Sequence, residues 1–277
     1  MKISNEDVYD IIIVAGQSNA DCYGIKKNES FFSSSILELV DKNPVDLDFP
    51  EGKPMIMHLV LPTETIIKNV KEKAHPDGFL ANFGNSFAKY YLAEHHNHKI
   101  LLVKAAVGAT SFSRNEWGVH KILYERMIKM TNDALSTNKD SKIVALLWHQ
   151  GESDSHEQPE LNLKERYEFY YNNLLNQMID FRNRFGENIP IICGEFVDSW
   201  AELKENKDVS SVIEKATKDV CSKIKKAEVV TSQGLLSNGD IYKNIDIIHF
   251  SGDSLDILGK RYYESYKKIV GGNDSDY

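Results

Sequence analysis

Residues 11–24 decide the fold, and they read Ile-Ile-Ile-Val-Ala-Gly-Gln-Ser-Asn-Ala-Asp-Cys-Tyr-Gly. The apolar residues Ile11–Ala15 are mostly β-branched, which predicts a strand that is buried on both faces of a sheet. Gly16 ends this strand, and a small polar cluster follows at once. Because open α/β sheets bind their ligands at the carboxyl ends of the strands, Ser18 is a candidate nucleophile. The alternative is an ordinary strand-to-helix turn in which Ser18 or Asn19 caps the next helix.

The composition of the whole chain favours one globular domain. Of its 277 residues, 42% are hydrophobic and 10% aromatic, which is enough to bury a sizeable core. The net charge of −8 comes from 33 Lys and Arg against 41 Asp and Glu. Nucleic acids and anionic membranes both require a basic surface on their protein partner. We therefore expect neither as a partner, and the sequence does not indicate an oligomeric state.

Targeting signals and cysteines point to a reducing compartment. The segment Met1–Asp7 has no apolar region of the kind found in secretory signals. No apolar run approaches the length of a membrane span. Cys22, Cys193 and Cys221 are widely spaced and form no Cys-x-x-Cys pair, which favours free thiols. We predict a cytoplasmic protein.

Apolar runs alternate with amphipathic segments along the chain. Predicted strands cover residues 55–61, 100–107, 142–148, 189–196 and 228–231, and predicted helices cover 87–94, 120–135, 161–185, 208–227 and 252–270. Residues 25–54 are expected to form a long loop. Such alternation predicts an α/β fold around a mainly parallel sheet. We assign residues 1–272 to a single catalytic domain and residues 273–277 to a short acidic tail.

Two further predicted strands also end in residues suited to chemistry. Gly108 follows the strand over 100–107, and a glycine there lets the backbone approach a ligand closely. The strand over 142–148 runs into a dense polar stretch over 149–156, which includes His149 and Gln150. Trp117 lies on a loop beyond a strand end, where its ring suits stacking on a sugar. A buried structural tryptophan is the alternative for that position.

Asp246 and His249 complete a possible set for acyl transfer. Their spacing of three residues in a turn lets the carboxylate reach Nδ1 of the imidazole, which leaves the other ring nitrogen free to face a serine. The backbone N–H groups of Ser18 and Gly108 and the side-chain amide of Gln150 are candidate donors to an oxyanion. The alternative for this loop is a helix N-cap in which the histidine has no special role.

The Gly-x-Ser-x-Gly elbow of α/β-hydrolases is absent, because Ala20 stands where the second glycine is required. The chain instead resembles the SGNH/GDSL hydrolase superfamily. Within it, the similarity is to the branch of sialate O-acetylesterases and carbohydrate esterase family 6, which includes acetylxylan esterases. The matching pieces span residues 11 to 250 in the family's order: Gly16-Gln17-Ser18-Asn19, Gly108, Trp148-His149-Gln150-Gly151-Glu152-Ser153-Asp154 and Asp246-x-x-His249-Phe250.

This resemblance implies a role for each residue. Ser18 would be the nucleophile, His249 the general base and then acid, and Asp246 its orienting carboxylate, with Glu152 as the possible alternative acid. The oxyanion donors would be Ser18, Gly108 and Gln150. The family fold is a flavodoxin-like three-layer α/β/α sandwich. The candidates for the substrate pocket are Gln17, Asn19, Trp117 and His149.

The resulting expectation is a serine esterase that removes acetyl groups from sugar hydroxyls, with an acetyl ester as its substrate and no cofactor or metal. Two alternatives stay open. One is a metal-dependent hydrolase whose ligands come from His149, Glu152, Asp154, His156 and His249. The other is a glycan-binding module that keeps the fold without catalysis.

Overall fold

The structure is a computed structural model, and it describes residues 7–42, 46–48, 56–58, 61–62, 64–243 and 246–272. The predicted tail over 273–277 lies outside these ranges. So do parts of the predicted loop over 25–54 and of the predicted strand over 55–61.

The secondary structure alternates along the chain. The strands are β1 (Tyr9–Gly16), β2 (Gly24–Lys26), β3 (Ile36–Asp41), β4 (Asp46–Asp48), β5 (Ile56–His58), β6 (Thr65–Asn69), β7 (Lys73–His75), β8 (Gly78–Ala81), β9 (Lys99–Lys104), β10 (Lys142–His149), β11 (Ile191–Gly194) and β12 (Ala227–Val230). The helices are α1 (Ser18–Asp21), α2 (Phe83–Glu94), α3 (Ile122–Leu135), α4 (Glu152–His156), α5 (Leu163–Phe185), α6 (Asp198–Ala201), α7 (Lys207–Lys223), α8 (Asn238–Tyr242) and α9 (Gly252–Gly271).

A seven-stranded sheet forms the centre, in the order β12-β11-β10-β1-β9-β3-β6. Neighbouring strands are parallel except for β3 and β6, which pair antiparallel. Every residue of β1 is buried, as expected for an apolar strand in the middle of a parallel sheet. The predicted buried strand at residues 11–15 is therefore confirmed. Its carboxyl end lies between those of β10 and β9.

Helices cover both faces of this sheet. Successive residues of a strand point to opposite faces, and the end of β10 shows what each face contacts. Trp148 packs on Phe112, whose ring meets Tyr170 of α5 edge to face. His149 packs on Phe83 of α2, and Tyr262 of α9 lies beside it. The predicted three-layer α/β/α architecture with a mainly parallel sheet is confirmed.

The prediction of a loop over 25–54 is wrong for residues 25–26, 36–41 and 46–48, which belong to β2, β3 and β4. Of these three strands, β3 lies in the central sheet, between β9 and β6. Ile36, Leu37 and Leu39 are buried, whereas Glu38 and Asp41 interrupt the apolar pattern and conceal the strand in the sequence. Residues 56–58 of the predicted strand over 55–61 do form β5, but it pairs with β4 in a separate ribbon.

Within the described ranges, every helix is either too short or too polar to span a lipid bilayer.

Candidate active site

Ser18 is the first residue of α1, immediately beyond the end of β1. Gly16 has a φ of +124°, and a Cβ atom there would lie 2.0 Å from the carbonyl oxygen of His149, so only glycine fits this turn. Gln17 is the N-cap residue, and no side chain caps the helix. The capping alternative for Ser18 and Asn19 is therefore wrong.

Asp246 and His249 form a hydrogen-bonded pair. Nδ1 of His249 lies 2.7 Å from Oδ1 of Asp246, and Nδ2 of Asn238 donates to Oδ2 of Asp246 at 2.8 Å. Burial acts to raise the pKa of Asp246, but the hydrogen bonds from His249 and Asn238 outweigh burial and lower it. The carboxylate thus stays ionised near neutral pH. It can fix the imidazole tautomer and stabilise an imidazolium ion.

Asn19 connects α1 to residues 246–251, which carry His249 and are called the histidine loop below. Its Nδ2 donates to the carbonyl oxygen of Ile248 at 3.0 Å, and its Oδ1 accepts from the N–H of Phe250 at 3.1 Å. These two peptide groups flank His249. Asn19 is only 1% exposed, so we assign it to positioning His249 rather than to direct contact with substrate.

Glu152 lies beneath this connection. Its Oε1 accepts from Nδ2 of Asn19 at 2.7 Å and lies 3.6 Å from Nε2 of His149. Burial favours a raised pKa for Glu152, yet the interactions with His149 and Asn19 lower it. In this geometry the carboxylate that contacts His249 belongs to Asp246, whereas Glu152 contacts Asn19 and His149.

The backbone N–H groups of Ser18 and Gly108 lie at this edge, and neither donates a hydrogen bond to the described residues. Gln150 differs from the prediction. Its Nε2 donates to Oδ2 of Asp154 at 2.6 Å and to the carbonyl oxygen of Thr110 at 3.1 Å. Oε1 of Gln17 is a third acceptor, at 3.4 Å. The amide of Gln150 therefore has acceptors within the protein, and one of them, Thr110, lies on the loop that carries Gly108.

Tyr23 lies between the histidine and Gly108. Its ring stacks on that of His249, with ring centroids 4.8 Å apart and an angle of 24° between the planes. A Cβ atom built on Gly108 would lie 3.0 Å from the hydroxyl oxygen of Tyr23. Tyr23 therefore forms one wall of the site, and a side chain at Gly108 would press against its ring.

The three other residues predicted for the substrate pocket are buried. Trp117 is 1% exposed, its ring meets Trp148 edge to face, and its Nε1 donates to Oγ1 of Thr110. Oε1 of Gln17 accepts from the N–H of Ser153 at 3.2 Å, and His149 is fully buried. Of the two predictions for Trp117, the buried structural tryptophan agrees with the structure, because its ring has no free face for a sugar.

The ligands of the metal-dependent alternative do not converge. They were His149, Glu152, Asp154, His156 and His249. Asp154 accepts hydrogen bonds from the backbone over 112–113, whereas His156 packs against Trp200. Among the residues that the structure describes, no group of three His, Cys, Asp or Glu side chains is arranged to hold a metal ion.

Sequence reasoning missed Tyr23 and Asn238 as contributors to the site. Asn238 is fully buried, and besides its bond to Asp246 its Oδ1 accepts from the N–H of Ile25 at 2.8 Å. It therefore links the turn that carries Asp246 to β2. The available signal was a short polar side chain at the start of a Ser-Asn-Gly-Asp turn close to Asp246, which is weak without the fold.

A mainly parallel sheet with serine, aspartate and histidine brought to its carboxyl edge defines the class of SGNH hydrolases. The model of one family, described as carbohydrate esterase, sialic acid-specific acetylesterase, matches residues 8–268. The chain belongs to this family, and it is therefore an esterase that removes O-acetyl groups from carbohydrates.

Solved structures share the fold at low sequence identity. NanS aligns with a TM-score of 0.70 and 18% identity, covering 96% of this chain and 98% of NanS. A protein from Arabidopsis thaliana aligns with a TM-score of 0.65 and 21% identity, covering 94% and 98%. XAC1771, a carbohydrate acetylesterase from Xanthomonas citri, aligns with a TM-score of 0.61 and 13% identity, covering 95% and 57%. No curated protein sequence matches the chain significantly.

Proposed function

We propose that the chain hydrolyses acetyl esters of sugars through a serine nucleophile and an acetyl-enzyme intermediate. One observation carries this proposal: Asp246 lies 2.7 Å from Nδ1 of His249, on a loop that Asn19 ties to the helix beginning at Ser18. A neutral imidazole has one N–H. If that N–H lies on Nδ1 and points to Asp246, Nε2 is left to accept the serine proton.

In the first half-reaction, Oγ of Ser18 attacks the acetyl carbonyl carbon while Nε2 of His249 takes the hydroxyl proton. The carbonyl electron pair moves to oxygen and forms a tetrahedral oxyanion. Its collapse breaks the bond to the sugar oxygen, which receives the proton from His249 and leaves as a free hydroxyl. Water then attacks the acetyl-enzyme with the same histidine as base, which releases acetate and restores the serine.

The oxyanion would be stabilised by the N–H groups of Ser18 and Gly108. Each such donor contributes about 3 kcal/mol to the transition state. Because Gln150 is committed to Asp154 and Thr110, we give it a supporting role at the loop that carries Gly108.

Two groups of substrate fit this proposal: acetylated sialic acids, which the description of the family names, and neutral acetylated sugars such as acetylated xylo-oligosaccharides. We further propose a cytoplasmic location, which the free thiols of Cys22, Cys193 and Cys221 support. Short oligosaccharides would then be better substrates than a polymer. Detection of the protein in culture medium would contradict this location.

The test is hydrolysis of p-nitrophenyl acetate by the wild type, Ser18→Ala and the control Ser211→Ala, each with a chelator present. Ser211 is an exposed serine on α7. We expect activity in the wild type and in Ser211→Ala, and its loss in Ser18→Ala. An acetyl adduct seen by mass spectrometry in rapidly quenched wild type but not in Ser18→Ala would support the covalent step. Full activity in Ser18→Ala would overturn the proposal.

A further inference from the structure

A cavity of about 270 Å³ adjoins the candidate active site. Gly108 and Asp21 both line it, and Asp21 is the last residue of the helix that Ser18 begins. The opposite wall comes from the carboxyl-terminal parts of β3 and β9, through Glu38 and Lys104. We call this space the Gly108 cavity. It begins at one of the two backbone groups proposed to hold the oxyanion.

Two buried polar atoms in the wall have no hydrogen-bond partner within the described ranges. They are Oδ1 of Asn85 and Nε of Arg126, which belong to side chains that are 4% and 5% exposed. The Nη2 atom of Arg126 lies 3.4 Å from Asp41, so Nε is a donor left over from that ion pair. A buried polar group without a hydrogen-bond partner destabilises the protein. One acceptor and one donor in the wall are therefore left unpaired.

Asp21 adds a second acceptor. Its carboxylate makes no hydrogen bond to the residues that the structure describes, although it lines the cavity. Burial raises the pKa of Asp21, and the positive charges of Lys104 and Arg126 act in the opposite direction. Lys104, on the neighbouring wall, provides a further donor.

Charged side chains of both signs line the cavity in equal number. Three lining residues carry a carboxylate (Asp21, Glu38 and Asp41) and three carry a cation (Lys71, Lys104 and Arg126), while Lys68, which pairs with Glu38, is not part of the lining. A hydroxyl group both donates and accepts hydrogen bonds, so a polyhydroxylated ring can satisfy donors and acceptors that are mixed in this way. A sugar that carries its own carboxylate would upset the balance.

We propose that the Gly108 cavity binds the sugar ring of the substrate and that this ring is a neutral monosaccharide unit. The inference rests on the proposed function, since it places the acetyl group at Ser18 and the ring beside Gly108. Asn85 and Asp21 would accept hydrogen bonds from ring hydroxyls, and Arg126 and Lys104 would donate to them. The volume is close to the lower end of small-ligand sites, which span roughly 300–1,000 Å³, and it suits one ring better than a polymer.

The experiment compares Asn85→Leu, Asp21→Asn and the control Asn183→Leu on two substrates. Asn183 lies on the exposed side of α5. The substrates are monoacetylated methyl β-xyloside and p-nitrophenyl acetate, which has no sugar. Asn85→Leu loses its acceptor, and Asp21→Asn exchanges a charged acceptor for a weaker neutral one. For both, we expect the ratio of kcat/KM on the xyloside to kcat/KM on p-nitrophenyl acetate to fall about tenfold. The control should keep the wild-type ratio.

The charge argument is tested with a third substrate, acetylated sialic acid, and with a third variant, Lys104→Met. If Asn85→Leu, Asp21→Asn and Lys104→Met change the ratio for acetylated sialic acid but not for the xyloside, the cavity binds an acidic sugar and the neutral-ring proposal is overturned. An unchanged ratio on both sugars in Asn85→Leu and in Asp21→Asn would overturn the proposal that the Gly108 cavity binds the sugar ring.

Direct binding separates this inference from the esterase mechanism. Monoacetylated methyl β-xyloside is titrated calorimetrically into Ser18→Ala, with and without Asn85→Leu or Asp21→Asn. We expect each added substitution to weaken binding about tenfold. Binding that depends on these residues would support the cavity even if Ser18→Ala kept full esterase activity. Equal binding in all variants would overturn the cavity even if the serine mechanism holds.

Discussion

Oε1 of Glu152 lies 2.7 Å from Nδ2 of Asn19, in the interior of the protein. The same amide nitrogen donates to the carbonyl oxygen of Ile248, next to His249. A buried carboxylate thus orients the asparagine that holds the histidine loop. We propose that Glu152 is a positioning residue, because it contacts Asn19 and His149 but makes no hydrogen bond to His249 in the described structure.

Replacing Asn19 should lower activity without abolishing the fold. Asn19→Ala removes the hydrogen bonds to Ile248 and Phe250, so the imidazole can shift relative to Ser18. A misplacement of about 1 Å can cost about 100-fold in rate. We expect a loss of that size in kcat/KM on p-nitrophenyl acetate, mainly in kcat.

The control for this prediction is Asn183→Ala, at an exposed position on α5, which should retain wild-type activity. Circular dichroism checks that both variants fold. A folded Asn19→Ala protein with wild-type kcat would show that Asn19 does not position the histidine.

Asp246→Asn should cost far more activity than Glu152→Gln. The carboxylate accepts from both Nδ1 of His249 and Nδ2 of Asn238, whereas an amide has only one acceptor oxygen. With that oxygen facing Asn238, the new NH2 group faces Nδ1, and the imidazole adopts the wrong tautomer. The corresponding change in a serine protease lowers kcat by about 10⁴-fold. Glu152→Gln keeps an oxygen for Nδ2 of Asn19, and we expect it to lose no more than about 100-fold.

Steady-state kinetics on p-nitrophenyl acetate, with both variants at equal purity, decide between the two carboxylates. If Glu152→Gln lost as much kcat as Asp246→Asn or more, the orienting acid would be Glu152, and the direct contact between Asp246 and His249 would be secondary.

The positions of Ser18, Asp246 and His249 could be predicted because each follows from local sequence. Ser18 follows directly after an apolar β-branched run, and the other two are three residues apart on one turn. The burial of Trp117 and the hydrogen bonds of Gln150 could not be predicted, because both depend on residues that are distant in the chain. Trp117 packs on Trp148, and Gln150 is held by Asp154 and Thr110.

The failure to predict β3 also comes from contacts with residues that are distant in the chain. Glu38 and Asp41 break the apolar run over 36–41, so local pattern suggests a loop. In the fold both side chains line the Gly108 cavity, and opposite charges reach them, as Lys68 does for Glu38 and Arg126 for Asp41. Only the tertiary structure shows that a central strand carries these charges.

Gly108 and Tyr23 should be coupled. In Gly108→Ala the new Cβ atom lies 3.0 Å from the Tyr23 hydroxyl and 3.4 Å from its ring carbons. The ring must therefore move by a few tenths of an ångström, and it stacks on His249. We expect kcat/KM to fall about tenfold, and to fall less when Tyr23→Phe has first removed the hydroxyl.

The four proteins of this double-mutant cycle are assayed together on p-nitrophenyl acetate. Additive losses, with no relief from Tyr23→Phe, would mean that the alanine harms the oxyanion site without involving Tyr23.

Glu214 should make the protein less stable as the pH rises. Its Oε1 accepts from the N–H of Phe196 at 2.8 Å, but burial dominates and raises its pKa from 4.5 to about 7. Between these values the folded state binds a proton that the unfolded state has lost, so the free energy of unfolding decreases with pH and levels off above the folded pKa. The full decrease from this group is about 3 kcal/mol.

Glu214→Gln removes this titration and keeps an oxygen for the N–H of Phe196. Urea unfolding at pH 5 and pH 8 should show that the variant loses less free energy of unfolding over this interval than the wild type does. The control Glu205→Gln changes an exposed carboxylate nine residues before Glu214. Its free energy of unfolding should depend on pH as that of the wild type does. If the free energy of unfolding changed by the same amount between pH 5 and pH 8 in Glu214→Gln and in Glu205→Gln, the raised pKa of Glu214 would not be the cause of the pH dependence.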